Sequence, residues 1–232
     1  MKTEALKLLR RKLANNESLY GLWITLESAS ITEMAVASGM DWVVIDAEHG
    51  HLDWHDILEH IRAAVRSNTV ILVRISELQE GMVKRVLDIG ADGVVIPHIE
   101  TPEELYRAVS FAKYPPVGIR GIGAERATGW GQCFAEHVRE ANENVLVIPI
   151  IESMRAGNNI KDLLKVPGID IFFFGPADYS ASAGYAGQWE VPGVIEHIDV
   201  TKNLIIEAGK YCGILATDLE DIERRNHKAF AW

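Results

Sequence analysis

The regular alternation of strand-like and helix-like segments is the feature that most limits what this chain can fold into. Seven apolar, β-branched runs are separated, in most cases, by amphipathic segments of helical length. The runs are Leu19–Thr25, Trp42–Ala47, Val70–Ile75, Gly93–Ile99, Val145–Ile151, Asp170–Gly175 and Tyr211–Ala216. Because most of them are almost continuously hydrophobic, they predict strands that are covered on both faces, as in a parallel α/β sheet.

The segments between these runs predict helices with recognisable ends. They are Ile31–Ser38, Asp53–Arg66, Glu80–Ile89, Pro102–Ala112 and Gly193–Ala208, after an N-terminal helix over about residues 4–13. Thr101 precedes Pro102 as the expected N-cap. Gly90 and Gly209 are expected to close two of the helices.

This alternation predicts a single domain over residues 1–232, folded as a (β/α)8 TIM barrel. The eighth strand would only begin at Ala229–Trp232, so we expect either a truncated C-terminal end or completion by a partner. An open doubly wound sheet is the alternative. Residues 118–123 do not support it, because this glycine-rich run does not open a helix after a strand. Residues 114–143 are expected to form a long functional or interfacial connection.

Composition excludes several functional classes. The formal net charge of −10 argues against nucleic-acid binding, which needs a basic surface. No apolar run approaches the roughly 20 residues that span a bilayer, and the N-terminus lacks the apolar core of a signal peptide. Cys133 and Cys212 are the only cysteines and imply no disulfide framework. The sequence therefore predicts a cytoplasmic protein without nucleic-acid or membrane partners.

Ionisable residues follow several predicted strands at their C-terminal ends, where α/β barrels build active sites. The strand ends are Trp23-Ile24-Thr25, Asp46-Ala47-Glu48-His49, Arg74, Glu152 and Gly175-Pro176-Ala177-Asp178. Each also has a structural explanation: Arg74 could pair with a neighbouring acid, Glu152 could complement a helix dipole, and Asp178 could cap a short helix that runs through Ser182. Together they predict a site with an acid–base residue, a cation and two carboxylates.

These residue types favour metal-assisted carbonyl chemistry. Two carboxylates suit Mg²⁺ or Mn²⁺, which take oxygen ligands and leave positions for water and substrate. No lysine stands at these strand ends, so the metal would be the electron sink for a carbonyl substrate. Arg74 can stabilise an enolate oxygen, and His49 is the natural general base. The neighbouring His51 and His55 do not complete a zinc set.

Four motifs resemble the HpcH/HpaI aldolase family of metal-dependent class II pyruvate aldolases. They are residues 45–49 (Ile-Asp-Ala-Glu-His), 72–74 (Leu-Val-Arg), 114–121 (Tyr-Pro-Pro-Val-Gly-Ile-Arg-Gly) and 174–180 (Phe-Gly-Pro-Ala-Asp-Tyr-Ser). The resemblance runs from about Leu19 to the end of the chain and implies a TIM barrel of the phosphoenolpyruvate/pyruvate superfamily. It also implies reversible cleavage of a 4-hydroxy-2-oxo acid, such as 4-hydroxy-2-oxoheptanedioate or 2-keto-3-deoxyrhamnonate, to pyruvate and an aldehyde through an enolate.

The resemblance also implies catalytic roles. His49 would be the base, and Asp88, reaching in from an adjacent subunit, would be the acid that raises its basicity. The residues alone would place Asp88 on a solvated helix end. Arg74 would stabilise the enolate, while Glu152 and Asp178 would hold Mg²⁺, Mn²⁺ or Co²⁺.

Substrate contacts and assembly are implied in the same way. Backbone groups at Gly175, Ala177 and Asp178 would hold the carboxylate of pyruvate, and the usual assembly would be a hexamer, as a trimer of dimers. From its place at a strand end, Trp23 is expected to line the substrate pocket. The chain departs from the family at Ile150, where relatives often carry a glutamine that contacts the substrate. This departure bears on the substrate range.

Two alternatives stay open on the sequence. One is an acyl-CoA lyase of the citryl- or malyl-CoA type, with Arg120, Arg126 and Arg155 as candidates for binding the CoA phosphates. The other is a non-catalytic barrel that binds a 2-oxo acid without turning it over.

Overall fold

In the computed structural model, the described residues are 1–216, 218 and 220–223, so the predicted eighth strand at Ala229–Trp232 lies outside them. The described chain divides into two compact units. The first contains Met1–Ile96 and Ala108–Val147; the second contains Pro97–Arg107 and the described residues from Ile148 onward. Each unit carries parallel strands alternating with helices, so the α/β class is confirmed. The single domain over residues 1–232 stays a prediction.

The first unit contains four parallel strands whose order in the sheet follows the sequence. They are β1 (Gly21–Ile24), β2 (Trp42–Asp46), β3 (Val70–Arg74) and β4 (Gly93–Ile96). Every residue of β2, β3 and β4 is buried, which explains the near-continuous apolar runs. The register places Asp46 at the end of β2 opposite Arg74 at the end of β3. β4 stops at Ile96, short of the predicted Ile99, because Pro97 cannot donate a ladder hydrogen bond.

The predicted helices of this part of the chain are also present. They are α1 (Thr3–Ala14), α2 (Ser30–Ala37), α3 (Trp54–Ala63), α4 (Glu80–Asp88) and α5 (Pro102–Ala112), the last of which has residues in both units. Asp53 caps α3 by accepting the N–H groups of His55 and Asp56, and the Asp56 side chain accepts the Asp53 N–H in return. As predicted, Thr101 caps α5, accepting the Glu104 N–H at 3.3 Å.

The expectation of a long connection over residues 114–143 is wrong for its second part. A 3-10 turn at Arg126–Thr128 is followed by a regular helix, α6 (Phe134–Asn144). This helix buries His137, Ala141 and Asn144, which lie on one face. Because two of these buried residues are polar, the helical period does not stand out as an apolar pattern in the sequence.

The second unit contains β5 (Leu146–Ile151) from Ile148 onward, β6 (Ile171–Phe174) and β7 (Tyr211–Ile214), which pair in parallel. Its remaining helices are α7 (Met154–Asn158), α8 (Ile160–Leu163), α9 (Pro176–Ser182) and α10 (Val194–Glu207). The short helix that the sequence predicted through Ser182 is α9. None of the helices among the described residues combines the length and the apolar character needed to cross a membrane.

Candidate active site

Arg74 lies at the C-terminal end of β3, where two carboxylates hold its guanidinium. Its Nε donates to Asp46 Oδ1 at 2.9 Å and its Nη2 donates to Asp46 Oδ2, while its Nη1 lies 2.8 Å from Glu48 Oε2. The arginine is only 8% exposed. A bidentate guanidinium–carboxylate pair is among the strongest polar contacts in proteins, so the direction of the remaining N–H groups is fixed.

Asp46 connects Arg74 to the neighbouring strand and to the loop that carries His49. It accepts the indole N–H of Trp23 at 3.0 Å and the backbone N–H groups of Glu48 and His49 at 3.0 and 3.3 Å. Burial alone raises the pKa of Asp46, but the hydrogen bonds from Arg74, Trp23 and Glu48 outweigh burial and hold this pKa below its usual value. Asp46 is therefore an anion at neutral pH, and it orders the loop through its backbone.

His49 has an exposed side chain on this ordered loop, where it can meet a substrate. Trp23 lies beside the cluster, with the Arg74 guanidinium carbon 5.0 Å from its ring centroid. Sequence reasoning left open whether Arg74 pairs with a neighbouring acid. Asp46 fixes the backbone of His49, and the Asp46 and Glu48 carboxylates both bind Arg74, which is the structural explanation that the sequence left open.

Asp88 is the last residue of α4, and the expectation of a solvated helix end is wrong. It accepts a hydrogen bond from Arg120 at 2.8 Å, and Arg120 is only 2% exposed. The Arg120 guanidinium carbon also lies 4.5 Å from the ring centroid of Tyr114. In the described part of this single chain, no hydrogen bond or ion pair joins Asp88 to His49.

Glu152 follows β5 directly, and its carboxylate is almost fully buried at 5% exposure. Its Oε1 accepts the backbone N–H of His98 at 2.5 Å and lies 3.2 Å from His98 Nδ1. His98 adopts a left-handed backbone conformation with φ of 55°, which is uncommon for a residue with a side chain. This conformation accompanies the contact of its N–H with the Glu152 carboxylate.

Gly175 leaves the space that the other Glu152 oxygen occupies. A Cβ atom at this position would lie 2.9 Å from both Glu152 Cβ and Glu152 Oε2, closer than real Cβ contacts allow. The same Cβ would lie 3.2 Å from Ile150 Cγ2. Glycine at the end of β6 therefore creates a notch for a carboxylate, with Ile150 as an apolar wall beside it.

Ala177 and Asp178 lie in the first turn of α9, and both are exposed. The alternative that Asp178 caps this helix is wrong, because Gly175 is the N-cap residue. Ser153 is the N-cap of α7 and accepts the N–H of Ala156, so Glu152 lies directly before this helix and its interaction with the helix dipole stays open. Both carboxylates therefore remain candidates for binding an ion.

The donor set fits a hard divalent cation that keeps open positions. Glu152 and Asp178 both offer oxygen atoms at the ends of consecutive strands, and the Gly175 notch shapes the space beside one of them. Within the described residues, no group of three or more His, Cys, Asp and Glu side chains is placed to hold a metal. Water and substrate oxygens would have to complete the coordination, as is usual for Mg²⁺.

Sequence reasoning missed His98 and Glu100, which follow β4. Glu100 accepts the Ser153 hydroxyl at 2.7 Å and lies 3.0 Å from Arg155, so it braces the residues after Glu152. The sequence feature that could have identified His98 is its position near the end of the predicted fourth strand. The other ionisable strand ends are those of β2, β3, β5 and β6.

Comparisons with known proteins identify the family of this chain. Residues 19–231 match the HpcH/HpaI aldolase/citrate lyase family. A 2-keto-3-deoxy-L-rhamnonate aldolase from Klebsiella pneumoniae is 36% identical over 225 residues, which cover 96% of this chain and 82% of that protein. A homologue from Salmonella gallinarum with the same name is 37% identical over 211 residues, covering 89% of this chain and 78% of that protein.

Solved structures give the same result. A crystal structure of an HpcH/HpaI aldolase/citrate lyase family protein from Burkholderia cenocepacia J2315 superposes with a TM-score of 0.91 at 33% identity, covering 97% of this chain and 90% of that one. The fold and these relatives define an enzyme of the lyase class. The chain belongs to the HpcH/HpaI aldolase/citrate lyase family, which confirms the resemblance read from its four motifs.

Proposed function

We propose that this enzyme is a divalent-metal-dependent aldolase that reversibly cleaves a 4-hydroxy-2-oxo acid to pyruvate, or a close 2-oxo acid, and an aldehyde. The observation that carries the proposal is the buried Arg74 guanidinium, fixed by Asp46 and Glu48 beside the loop of His49. Family membership supports the same reaction class. We also propose that the sheet belongs to a (β/α)8 barrel, in which the carboxyl ends of the strands form the catalytic face.

Glu152 and Asp178 are the proposed ligands of Mg²⁺, Mn²⁺ or Co²⁺. A bound ion would supply Lewis-acid polarisation of the 2-oxo acid. Glu152 suits this role because the Gly175 notch and the His98 N–H restrict its carboxylate to one orientation. Asp178 suits it because its side chain is exposed on the first turn of α9.

The remaining residues would move the proton and stabilise charge. In the cleavage direction, the His49 imidazole takes the proton of the 4-hydroxyl group as the C3–C4 bond breaks, and the aldehyde leaves. The electron pair of that bond becomes the enolate, whose oxygen faces the fixed N–H groups of Arg74. His49 then returns this proton to C3, which gives the methyl group of pyruvate. Asp88 of an adjacent subunit is the proposed acid that raises the basicity of His49.

Substrate selection is proposed to use both ends of the 2-oxo acid. Backbone groups at Gly175, Ala177 and Asp178 would hold its carboxylate, and Trp23 would form one wall of the pocket. Ile150 adds an apolar wall beside Gly175. Because the named relatives act on 2-keto-3-deoxy-L-rhamnonate, sugar-derived 2-keto-3-deoxy acids are the first substrates to test.

Assembly and location are part of the proposal too. We propose a cytoplasmic homo-oligomer, a hexamer built as a trimer of dimers, that acts on small molecules and has no nucleic-acid or membrane partner. The acidic composition supports the absence of a nucleic-acid partner, because phosphate backbones bind basic surfaces.

The acyl-CoA alternative is less well supported by the contacts of its candidate arginines. Arg120 is buried and paired with Asp88, and Arg155 pairs with Glu100, so a carboxylate already compensates the charge of each guanidinium. The third candidate, Arg126, lines a cavity at the amino ends of the strands. Aldol chemistry therefore remains the better assignment.

The direct test is cleavage of 2-keto-3-deoxy acids of different chain length, with the release of pyruvate measured enzymatically. We expect turnover with Mg²⁺, Mn²⁺ or Co²⁺, its loss with a chelator, and its recovery when the metal is restored. A metal-loaded, folded protein that binds pyruvate or oxamate tightly but shows no turnover with any acid would favour the non-catalytic barrel.

A further inference from the structure

A cavity of 490 Å³ lies in the first unit, at the amino-terminal ends of β3 and β4. Lys2 contributes to its wall, and the Lys2 ammonium group donates a hydrogen bond to the carbonyl oxygen of Thr69, the residue just before β3. Gly90, in the turn before β4, contributes as well. The volume falls in the range of about 300–1,000 Å³ that is common for small-molecule sites.

Arg126 is the central cation of this cavity. It is half-buried, its Nη1 donates to the carbonyl oxygen of Ile89 at 2.9 Å, and no carboxylate of the described residues forms an ion pair with it. A Cβ atom on Gly90, where φ is +106°, would lie 2.3 Å from that nitrogen. The backbone therefore makes room for this guanidinium. Burial, and then the positive charge of Arg62, lower the pKa of Arg126.

Arg62 brings a second guanidinium to the same cavity. One of its nitrogens pairs with Glu59 in an exposed contact, which leaves other N–H groups able to donate. The Lys2 ammonium is already engaged by the Ala64 carbonyl oxygen at 3.1 Å and by Asp92 at 3.5 Å. Two like-charged guanidiniums facing one cavity repel each other, and an anion between them would relieve this repulsion.

Trp130 provides a flat apolar surface at the same place. Its side chain is 69% exposed, and its φ of 53° is a left-handed conformation that bulky residues rarely adopt. Gly129 and Gly131 on either side also have positive φ values. The turn thus presents an indole ring at a cavity that holds two guanidiniums, and indole rings stack well on planar heterocycles.

We propose that this cavity binds a mononucleotide, with its phosphate on Arg62 and Arg126 and its base stacked on Trp130. Within one chain, the cavity lies apart from the Arg74 cluster, because Arg74 is at the opposite end of β3, five residues after Thr69, or roughly 16 Å away at about 3.3 Å per residue. It goes beyond the proposed aldolase activity and does not depend on it.

The test is calorimetric titration of the full chain with AMP, ribose 5-phosphate, adenosine and inorganic phosphate. We expect AMP to bind at least tenfold more tightly than the other three. Arg126→Gln should weaken AMP binding at least tenfold, and Trp130→Ala should lower AMP affinity to that of ribose 5-phosphate. Trp130→Phe should keep part of the difference. Arg139→Gln is the matched control, because Arg139 is 70% exposed and lies outside the cavity.

Four outcomes would overturn the proposal. One is the absence of saturable AMP binding by the wild-type protein. Another is AMP binding that survives unchanged in folded Arg126→Gln and Trp130→Ala variants. Equal affinity for AMP, ribose 5-phosphate and phosphate would indicate a plain anion site. Loss of AMP binding in His49→Ala would place the nucleotide at the catalytic site instead. Arg126→Lys keeps the charge but loses the paired N–H donors of the planar guanidinium, and it provides a second variant if Arg126→Gln does not fold.

Discussion

The two polar clusters at strand ends hold their buried charges by different means. In the first unit, the Arg74 guanidinium lies between Asp46 and Glu48, so side chains of both signs compensate each other. In the second unit, a backbone N–H from His98 and the notch at Gly175 hold the Glu152 carboxylate. The first cluster thus pairs its buried charges with one another, whereas the second fixes the position of one buried carboxylate, which we propose binds the metal ion.

The largest effect is expected from breaking the first cluster. Arg74→Ala would leave Asp46 and Glu48 without their buried cation, and we expect the free energy of unfolding to fall by about 3–5 kcal/mol. Urea denaturation followed by circular dichroism measures this change. Arg139→Gln, which alters an exposed pair, should stay within about 0.5 kcal/mol of wild type. An Arg74→Ala protein as stable as wild type would show that the ion pairs do not support the fold.

The second cluster should respond in metal affinity instead. Glu152→Gln keeps the shape of the side chain but removes its charge, so we expect Mn²⁺ affinity to fall by about 100-fold or more with a smaller loss of stability than for Arg74→Ala. Titration of the apoprotein with Mn²⁺, followed by electron paramagnetic resonance, measures the affinity. Glu207→Gln, an exposed change on α10, is the control. Unchanged Mn²⁺ binding by Glu152→Gln would remove Glu152 from the ligand set.

A smaller effect is expected from filling the notch. Gly175→Ala would place a Cβ 2.9 Å from Glu152 Oε2 and would turn the carboxylate away, so Mn²⁺ should bind about tenfold more weakly. Gly81→Ala is the matched control, because no atom lies within 4 Å of its added Cβ. Equal losses in the two variants would mean that the notch has no specific role.

The smallest effect concerns pH and the first cluster alone. Hydrogen bonds from Arg74 and Trp23 lower the pKa of Asp46 in the folded state. The ionised Asp46 carboxylate therefore contributes stability above the unfolded pKa of about 3.9, and this contribution is lost as pH falls through the lower folded pKa. Urea titrations between about pH 2.5 and 6 should show a steeper acid loss for wild type than for Arg74→Ala. If the free energy of unfolding falls equally steeply with decreasing pH in both proteins, this account of Asp46 is contradicted.

Local signals predicted most of the fold. The seven strands follow from continuous apolar runs. The start of α5 at Pro102 was predictable because Thr101 and the acidic residues of the first turn are visible in the sequence. The helix α6 was missed because it buries His137 and Asn144, whose polarity hides the helical period. The early end of β4 follows from Pro97, which lies inside the predicted run and cannot donate a ladder hydrogen bond.

The site was predictable by residue type but not by partner. Reading strand ends found Arg74, Asp46 and Glu152, yet the Asp46–Arg74 pair depends on the register of β2 against β3, which no single strand encodes. His98 was missed because its role rests on a backbone N–H in a left-handed conformation. The Asp88–Arg120 pair links residues 32 positions apart and has no local signal.

The central claim is that His49 moves a proton to and from the methyl carbon of pyruvate under metal activation. Its most direct test is the incorporation of solvent deuterium into that methyl group, followed by proton magnetic resonance with Mg²⁺, Mn²⁺ or Co²⁺ present. We predict metal-dependent exchange by the wild type, and its loss in a His49→Ala protein that still binds Mn²⁺. Exchange at the wild-type rate in His49→Ala, or none in a folded, metal-loaded wild type, would contradict the account.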